Sequence, residues 1–156
     1  MVDAVLSKLV WTLNDLYRLS GSARVHADTV RSTGVAVTQT GLRFLSLIED
    51  SPRISAGDLA AALDVSQPTA SRVLQQLEVD GYVVRHASDS DGRVWHYVTS
   101  AKGRKALAVV HRYHVDRLAL ALGDTDPVRR TELARAVTEL VERLHGAARG
   151  DNKRTA

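Results

Sequence analysis

The sequence contains no cysteine, and this absence excludes several kinds of site. Without thiols the chain has no disulfide, no thiolate metal site and no cysteine redox switch. No apolar run approaches the roughly 18 residues that a membrane-spanning helix requires. The N-terminus also lacks the basic and then apolar pattern of a signal peptide. We therefore predict a soluble, cytoplasmic protein with no membrane partner.

The common catalytic and nucleotide-binding patterns are missing as well. The sequence has no P-loop, no G-x-G-x-x-G turn, no H-E-x-x-H pair and no G-x-S-x-G elbow. Since no residues are arranged to organise a reaction, we predict that the protein is not an enzyme and uses no cofactor.

Length and charge set broader bounds. A chain of 156 residues, 44% of them apolar, can form a core and suits one domain, or one domain with a dimerisation arm. The formal net charge of +3 is a weak argument for a nucleic-acid partner. The positions of individual charged residues must therefore identify the partner.

Two short helices joined by a tight turn are predicted between residues 55 and 81. Ser55 and Asp58 have the spacing of a capping box, and the apolar residues that follow recur at helical intervals. After the turn at residues 64–65, Ser66 can cap a second helix, and Gly81 can end that helix in a left-handed conformation. This order of elements is typical of a helix-turn-helix.

The second helix has one apolar and one polar side. Gln side chains can bind adenine edges, Arg can bind guanine edges, and Ser or Thr can contact phosphates or bases, so the polar side suits a DNA major groove. The alternative is an ordinary solvated helix face. The polar side consists of Thr69, Ser71, Arg72, Gln75 and Gln76.

A β-hairpin is predicted directly after this helix. Residues 82–85 and 94–98 are rich in β-forming side chains, and Asp91 with Gly92 between them is a strong hairpin signal. Arg93 near the tip could enter a narrow minor groove, and Asp89 or Asp91 could hold the loop by pairing with it. The alternative is an exposed hairpin without a DNA contact.

Helices that flank this region carry narrow apolar stripes. We predict a shared two-fold helical interface, with packing inside one chain as the alternative. On the N-terminal helix, residues 3–19, Trp11 projects away from the stripe and indicates an interface, a ligand pocket or a stray exposed side chain. The predicted interface residues are Leu6, Leu9 and Leu13 at one end and Leu133, Val137, Leu140 and Leu144 at the other.

Between the hairpin and the last helix, residues 99–122 form a long helix with apolar residues on two sides, which can act as a strut. It carries His111 and His114 at a spacing that two ligands of one metal ion can have. Two ligands are too few, so packed or cavity-lining histidines are the preferred interpretation and no metal is predicted. Residues 20–37 are interpreted as a helix end and loop, and residues 147–156 as a frayed tail.

Four segments together resemble the MarR family of bacterial winged helix-turn-helix transcriptional regulators. They are residues 66–72 (SQPTASR), 77–85 (LEVDGYVVR), 91–93 (DGR) and 99–103 (TSAKG), within a resemblance that spans about residues 38–105. The resemblance implies that Gln67, Thr69, Ser71 and Arg72 lie in the major groove and that Arg93 belongs to a minor-groove wing. Our predicted DNA contacts are Ser66, Gln67, Thr69, Ser71, Arg72 and Gln75 in the major groove, with Asp91, Gly92 and Arg93 in the wing.

We accordingly predict a mainly α fold with a small β-hairpin wing (α+β). Its segments are an N-terminal dimerisation helix and linker (1–37), a winged helix-turn-helix (38–99), a strut and C-terminal dimerisation helix (100–146) and a tail (147–156).

The predicted function is that of a homodimeric repressor on a pseudo-palindromic operator. The resemblance implies release by a small aromatic or anionic effector, for which Trp11, Phe44 and His111 are candidate contacts. The alternatives are a winged-helix protein-interaction or architectural module without operator specificity, and a metal-responsive regulator that uses His111 and His114.

Overall fold

The computed structural model describes residues 3–87 and 95–151, with backbone alone for residues 148–151. The chain divides into two compact units, one ending at His114 and one beginning at Val115, which are considered separately. In chain order the elements are α1 (Ala4–Ser20), α2 (Ala23–Thr33), α3 (Gln39–Asp50), β1 (Ile54–Ser55), α4 (Ala56–Ala62), α5 (Gln67–Val79), β2 (Val83–Ala87), β3 (Trp95–Thr99), α6 (Ala101–Leu122) and α7 (Pro127–Asp151).

The first unit contains a winged helix-turn-helix. Helices α3, α4 and α5 pack with a three-stranded antiparallel sheet of order β1-β3-β2. Strands β2 and β3 form the hairpin, with Val83 opposite Thr99 at its foot and Ala87 opposite Trp95 toward its tip. This architecture confirms the predicted mainly α fold with a small β wing.

The core of the first unit is apolar and closely packed. Periodic apolar residues on α3, α4 and α5 point inward, as an amphipathic helix requires. The largest of the fully buried side chains in this core are Phe44, Leu45, Ile48, Leu59 and Leu74.

Local capping explains where α4 and α5 begin and end. The Ser55 hydroxyl accepts a hydrogen bond from the Asp58 amide at 3.1 Å, and the Ser66 hydroxyl accepts one from the Thr69 amide at 3.4 Å. Helix α5 ends before Gly81, whose φ of +74° lies in the left-handed region that glycine adopts without strain. The predicted start and stop signals are confirmed.

The prediction that residues 20–37 form a helix end and loop is wrong, because α2 occupies most of this segment. Its residues have modest helix propensity and few of them are apolar, so the sequence pattern is weak. Packing stabilises it, since Thr29 is buried and donates a hydrogen bond to the Val25 carbonyl at 3.0 Å. Gly34, with a φ of +70°, ends the helix.

Two further boundaries differ from the predictions. Strand β1 was not predicted, since it has only two residues and depends on pairing with distant Tyr97 and His96. Gly146 does not end the last helix, because α7 continues to Asp151. One glycine costs a helix only about 1 kcal/mol, and Ala147 and Ala148 favour its continuation. The rest of the predicted tail, residues 152–156, lies outside the described residues.

Helix α1 in the first unit and helix α7 in the second bury almost nothing within the chain. Neither helix contains a buried residue among those whose side chains are described. Asp3 caps α1 and Asp126 caps α7, and both carboxylates accept backbone amide hydrogen bonds at 2.8 Å. Both helices therefore begin at strong local signals while their apolar stripes remain uncovered.

In residues 3–87 and 95–151 we find no helix whose length and apolar character would let it span a membrane.

Candidate nucleic-acid interface

Helix α5 presents its polar side to solvent, as the sequence predicted. Ala70, Leu74 and Leu77 are buried and fix the rotation of the helix about its axis. The six predicted major-groove residues are all exposed: Ser66, Gln67, Thr69, Ser71, Arg72 and Gln75. All six side chains are therefore accessible, at the start and in the middle of the helix.

The polar side chains of α5 differ in how freely they can bind a ligand. The hydroxyls of Ser66 and Thr69 lie 2.8 Å apart in the helix cap, and the Gln76 amide donates to the Asp80 carboxylate at 3.0 Å. Arg72, in contrast, makes no hydrogen bond or ion pair within residues 3–87 and 95–151. Among these residues, its guanidinium is therefore free to bind a base edge or phosphate.

The wing is described from its foot to Ala87 and from Trp95 onward. Val83, Tyr97 and Thr99 are buried on the inner side of the hairpin, while residues 84–87 are exposed. The predicted tip contacts Asp91, Gly92 and Arg93, together with Asp89, lie outside the described residues. Their proposed groove contact therefore stays a prediction from the sequence.

Charged side chains join the wing to α5. The Arg85 Nε lies 3.0 Å from the Glu78 Oε1, and the Arg85 guanidinium carbon lies 4.5 Å from the centre of the Trp95 ring. Burial raises the pKa of the Tyr97 hydroxyl above its ordinary value of 10.0, Glu78 raises it further and Arg85 lowers it.

The start of α6 is attached to the end of α5. Lys102 Nζ donates to the Asp80 carbonyl at 2.6 Å, and the Ser100 hydroxyl donates to the Gly81 carbonyl at 2.7 Å. A Cβ atom at Gly103 would lie only 2.2 Å from the Tyr82 carbonyl oxygen, so only glycine permits this approach. Sequence reasoning missed these contacts, which join residues about 20 positions apart.

A cleft of about 380 Å³ opens between α3 and the first part of α6, within the first unit. Leu42, Leu107 and Val110 form its apolar wall. A neighbouring cleft of about 660 Å³, lined in part by Tyr17 and Arg18, shares several of its residues. The polar side chains of the first cleft are Ser20, Gln39, Arg43, Ser46, His111 and His114.

Arg43 gives this cleft its positive charge. It lines both clefts and makes no hydrogen bond or ion pair with the described residues. His111 and His114 lie together on the opposite wall, and nowhere in the described ranges do three or more metal-binding side chains form a group. The donor set therefore suits an anion better than a metal ion.

The other two predicted effector contacts occupy different environments. Phe44 is fully buried in the core and exposes no surface to the cleft. Trp11 is 69% exposed on α1 and belongs to neither cleft. Of the three candidates, the structure brings only His111 to the cleft wall, and it adds Arg43, which the sequence did not single out.

Comparison with known protein sequences gives evidence about the family of this chain that does not depend on the structure. Residues 37–94 match the sequence model of the MarR family. A putative transcriptional regulatory protein for the hcr operon of Thauera aromatica is 33% identical over 89 residues, which cover 57% of this chain. The matched region spans about half, 53%, of that relative.

Solved structures share the fold over most of the chain. A MarR family protein from Bacillus stearothermophilus is 15% identical, with a TM-score of 0.80 and coverage of 93% of this chain and 99% of that one. Streptococcus pneumoniae FabT in complex with DNA is 19% identical, with a TM-score of 0.67 and coverage of 90% and 97%. The sequence match to the MarR family thus covers residues 37–94, and the solved structures share the fold over almost the whole length of the chain.

Proposed function

We propose that this protein is a sequence-specific DNA-binding transcriptional regulator that acts as a homodimeric repressor. The observation that carries the proposal is the accessible polar side of α5, where Arg72 has no partner among the described residues and adjacent side chains offer amides and hydroxyls. The names of two similar proteins support it, one a putative transcriptional regulator and the other solved with DNA.

The chemistry of α5 matches a major groove. The groove is about 12 Å wide and admits one helix. Arg72 can donate two hydrogen bonds to guanine, and Gln67 or Gln75 can bind adenine through both amide atoms. Ser66, Thr69 and Ser71 are suited to phosphate contacts that fix the position of the helix. Arg93, with Asp91 and Gly92, would add a minor-groove contact from the wing.

Uncovered apolar stripes support a homodimer. On α1, Leu6 is 58% exposed and Leu9 is 36% exposed, and on α7 Val137 is 53% exposed. Contiguous exposed apolar surface of this kind marks an interaction site, and a two-fold axis would bury both copies of each stripe. Two symmetric copies of α5 would then require a pseudo-palindromic operator with half-sites about 34 Å apart.

Arg43 supports an anionic effector for the cleft. A small aromatic carboxylate would place its ring against Leu42 and Val110 and its charge against Arg43, with His111 as a further hydrogen-bonding group. Because Arg43 lies on α3 and His111 on α6, a ligand between them would change how these helices pack. We propose that this change releases the operator.

The first experiment is fluorescence anisotropy with a duplex from the region upstream of the protein's own gene and a scrambled duplex, at two salt concentrations. We expect at least about 1,000-fold preference for the upstream duplex. Arg72→Ala should cost about 1–3 kcal/mol of this affinity. Arg31→Ala, which removes the same charge from a surface pair with Asp28, is the matched control.

Two outcomes would contradict the proposal. Equal affinity for both duplexes with a steep salt dependence would indicate an architectural protein. No binding at either salt concentration, with a folded protein, would favour the protein-interaction module.

The effector proposal has its own experiment. Benzoate should release the bound operator at millimolar concentration, whereas benzyl alcohol, which lacks the charge, should not. Arg43→Gln should raise the required benzoate concentration about tenfold, as expected for loss of a charge-assisted hydrogen bond. An equal response of Arg43→Gln and wild type would contradict the role of Arg43.

A further inference from the structure

One side chain, Arg85, connects three elements of the winged helix. It lies on β2, its Nε is 3.0 Å from the Glu78 carboxylate on α5, and its guanidinium stacks 4.5 Å from the Trp95 ring centre on β3. Arginine suits this position because its edge donates hydrogen bonds while its flat face stacks on an aromatic ring. The ammonium group of lysine cannot make both contacts in this geometry.

Arg85 extends the link between the wing and α5 beyond the buried foot of the hairpin. Val83 is 2% exposed and anchors the foot, whereas residues 84–87 are exposed. Tyr97, directly opposite Arg85 in the ladder, is 9% exposed. The ion pair with Glu78 therefore holds the hairpin at the Arg85–Tyr97 pair, where its buried foot ends and its exposed part begins.

We propose that Arg85 is a positioning residue for DNA binding, which holds the wing at a fixed angle to α5 so that the major-groove and minor-groove contacts form together. This inference rests on the proposed function. Helix α5 and the wing bind one duplex tightly only if their relative position is fixed before binding. Otherwise the entropic cost of ordering them lowers the affinity. Arg85 fixes this relative position in the free protein.

The competing role for Arg85 is a direct phosphate contact, and Glu78 distinguishes the two. If Arg85 binds phosphate, Glu78→Gln removes a nearby negative charge, frees the guanidinium and strengthens operator binding. If Arg85 positions the wing, the same substitution removes its anchor on α5 and weakens binding. The two roles thus predict opposite signs for one variant.

The test is a double-mutant cycle on the upstream duplex. Arg85→Gln should weaken binding about tenfold, Glu78→Gln about fivefold and Arg85→Lys by an intermediate amount. Arg93→Ala should weaken the wild type strongly but Arg85→Gln by no more than about twofold, because the wing of that variant no longer binds in register. Arg72→Ala should cost the same in both backgrounds.

Two controls separate positioning from loss of charge or fold. Arg31→Gln removes the same charge and should change affinity by less than about twofold. In a Trp11→Phe background Trp95 is the one remaining tryptophan. Its emission should shift on Arg85→Gln without DNA, while the melting temperature shows that the winged helix remains folded.

The outcomes distinguish failure of the proposed function from failure of the role assigned to Arg85. A wild-type protein without preference for the upstream duplex overturns the proposed function itself. A wild type that binds specifically overturns the inference if Glu78→Gln strengthens binding, or if Arg93→Ala costs the same in both backgrounds.

Discussion

The winged helix and the terminal helices use apolar residues in opposite ways. Between α3 and α5 most large apolar side chains pack into one core, with Phe44 and Leu74 both at 0% exposure. On α1 and α7 residues of the same types are exposed, including Leu6 at 58% and Leu144 at 51%. The winged helix is therefore stabilised by its own core, whereas the terminal helices have stripes that one chain leaves unfilled.

The largest expected effect tests the core side of this comparison. Phe44→Ala removes a fully buried ring and should lower the free energy of unfolding by about 3–5 kcal/mol. Val79→Ala on the outside of α5, where Val79 is 75% exposed, should change it by less than about 0.5 kcal/mol. Urea denaturation measures both free energies of unfolding. Similar losses for the two variants would contradict the conclusion that a buried core stabilises the winged helix.

The second effect tests the terminal helices. Val137→Glu places a charge in the α7 stripe and should raise the dissociation constant of the dimer at least 100-fold, about 2.7 kcal/mol. The neighbouring exposed residue, Thr138, provides a matched control in Thr138→Glu, which should leave dimerisation unchanged. Sedimentation velocity over a range of concentrations measures the effect. A wild type that sediments as a monomer would remove the proposed interface.

The smallest effect concerns a local signal within the winged helix. Ser66→Ala removes the hydroxyl that accepts the Thr69 amide hydrogen bond and should cost about 1 kcal/mol of stability. Ser71→Ala, at an exposed position inside α5, should be neutral or slightly stabilising because alanine has the higher helix propensity. Thermal unfolding compares the two variants. Equal destabilisation would show that capping does not define the start of α5.

The distance along the chain over which each signal acts explains what the sequence could and could not predict. Helices α4 and α5 were predictable because Ser55, Ser66 and Gly81 act on their immediate neighbours. Helix α2 was not, because it has little apolar periodicity and is stabilised by packing around Thr29. Strand β1 was missed because its two residues are defined by pairing with β3, about 40 positions later in the chain.

The residues of the candidate site also differ in whether a local sequence pattern marks them. The exposed side of α5 could be predicted from helical spacing alone, and Arg72 lies where that spacing puts it. The Arg85 contacts and the cleft around Arg43 depend on elements that meet only in the fold, so no local pattern marks them. Phe44 shows the converse error, since an aromatic residue suggested a ligand contact where the fold needs a core side chain.

The attachment of α6 to the end of α5 bears on which substitutions this region tolerates. The Ser100 and Lys102 bonds to the Gly81 and Asp80 carbonyls close the hairpin at its foot, where Val83 pairs with Thr99. Because both acceptors are main-chain carbonyls, a substitution of Asp80 can remove the side-chain bond from Gln76 while the attachment of α6 remains in place.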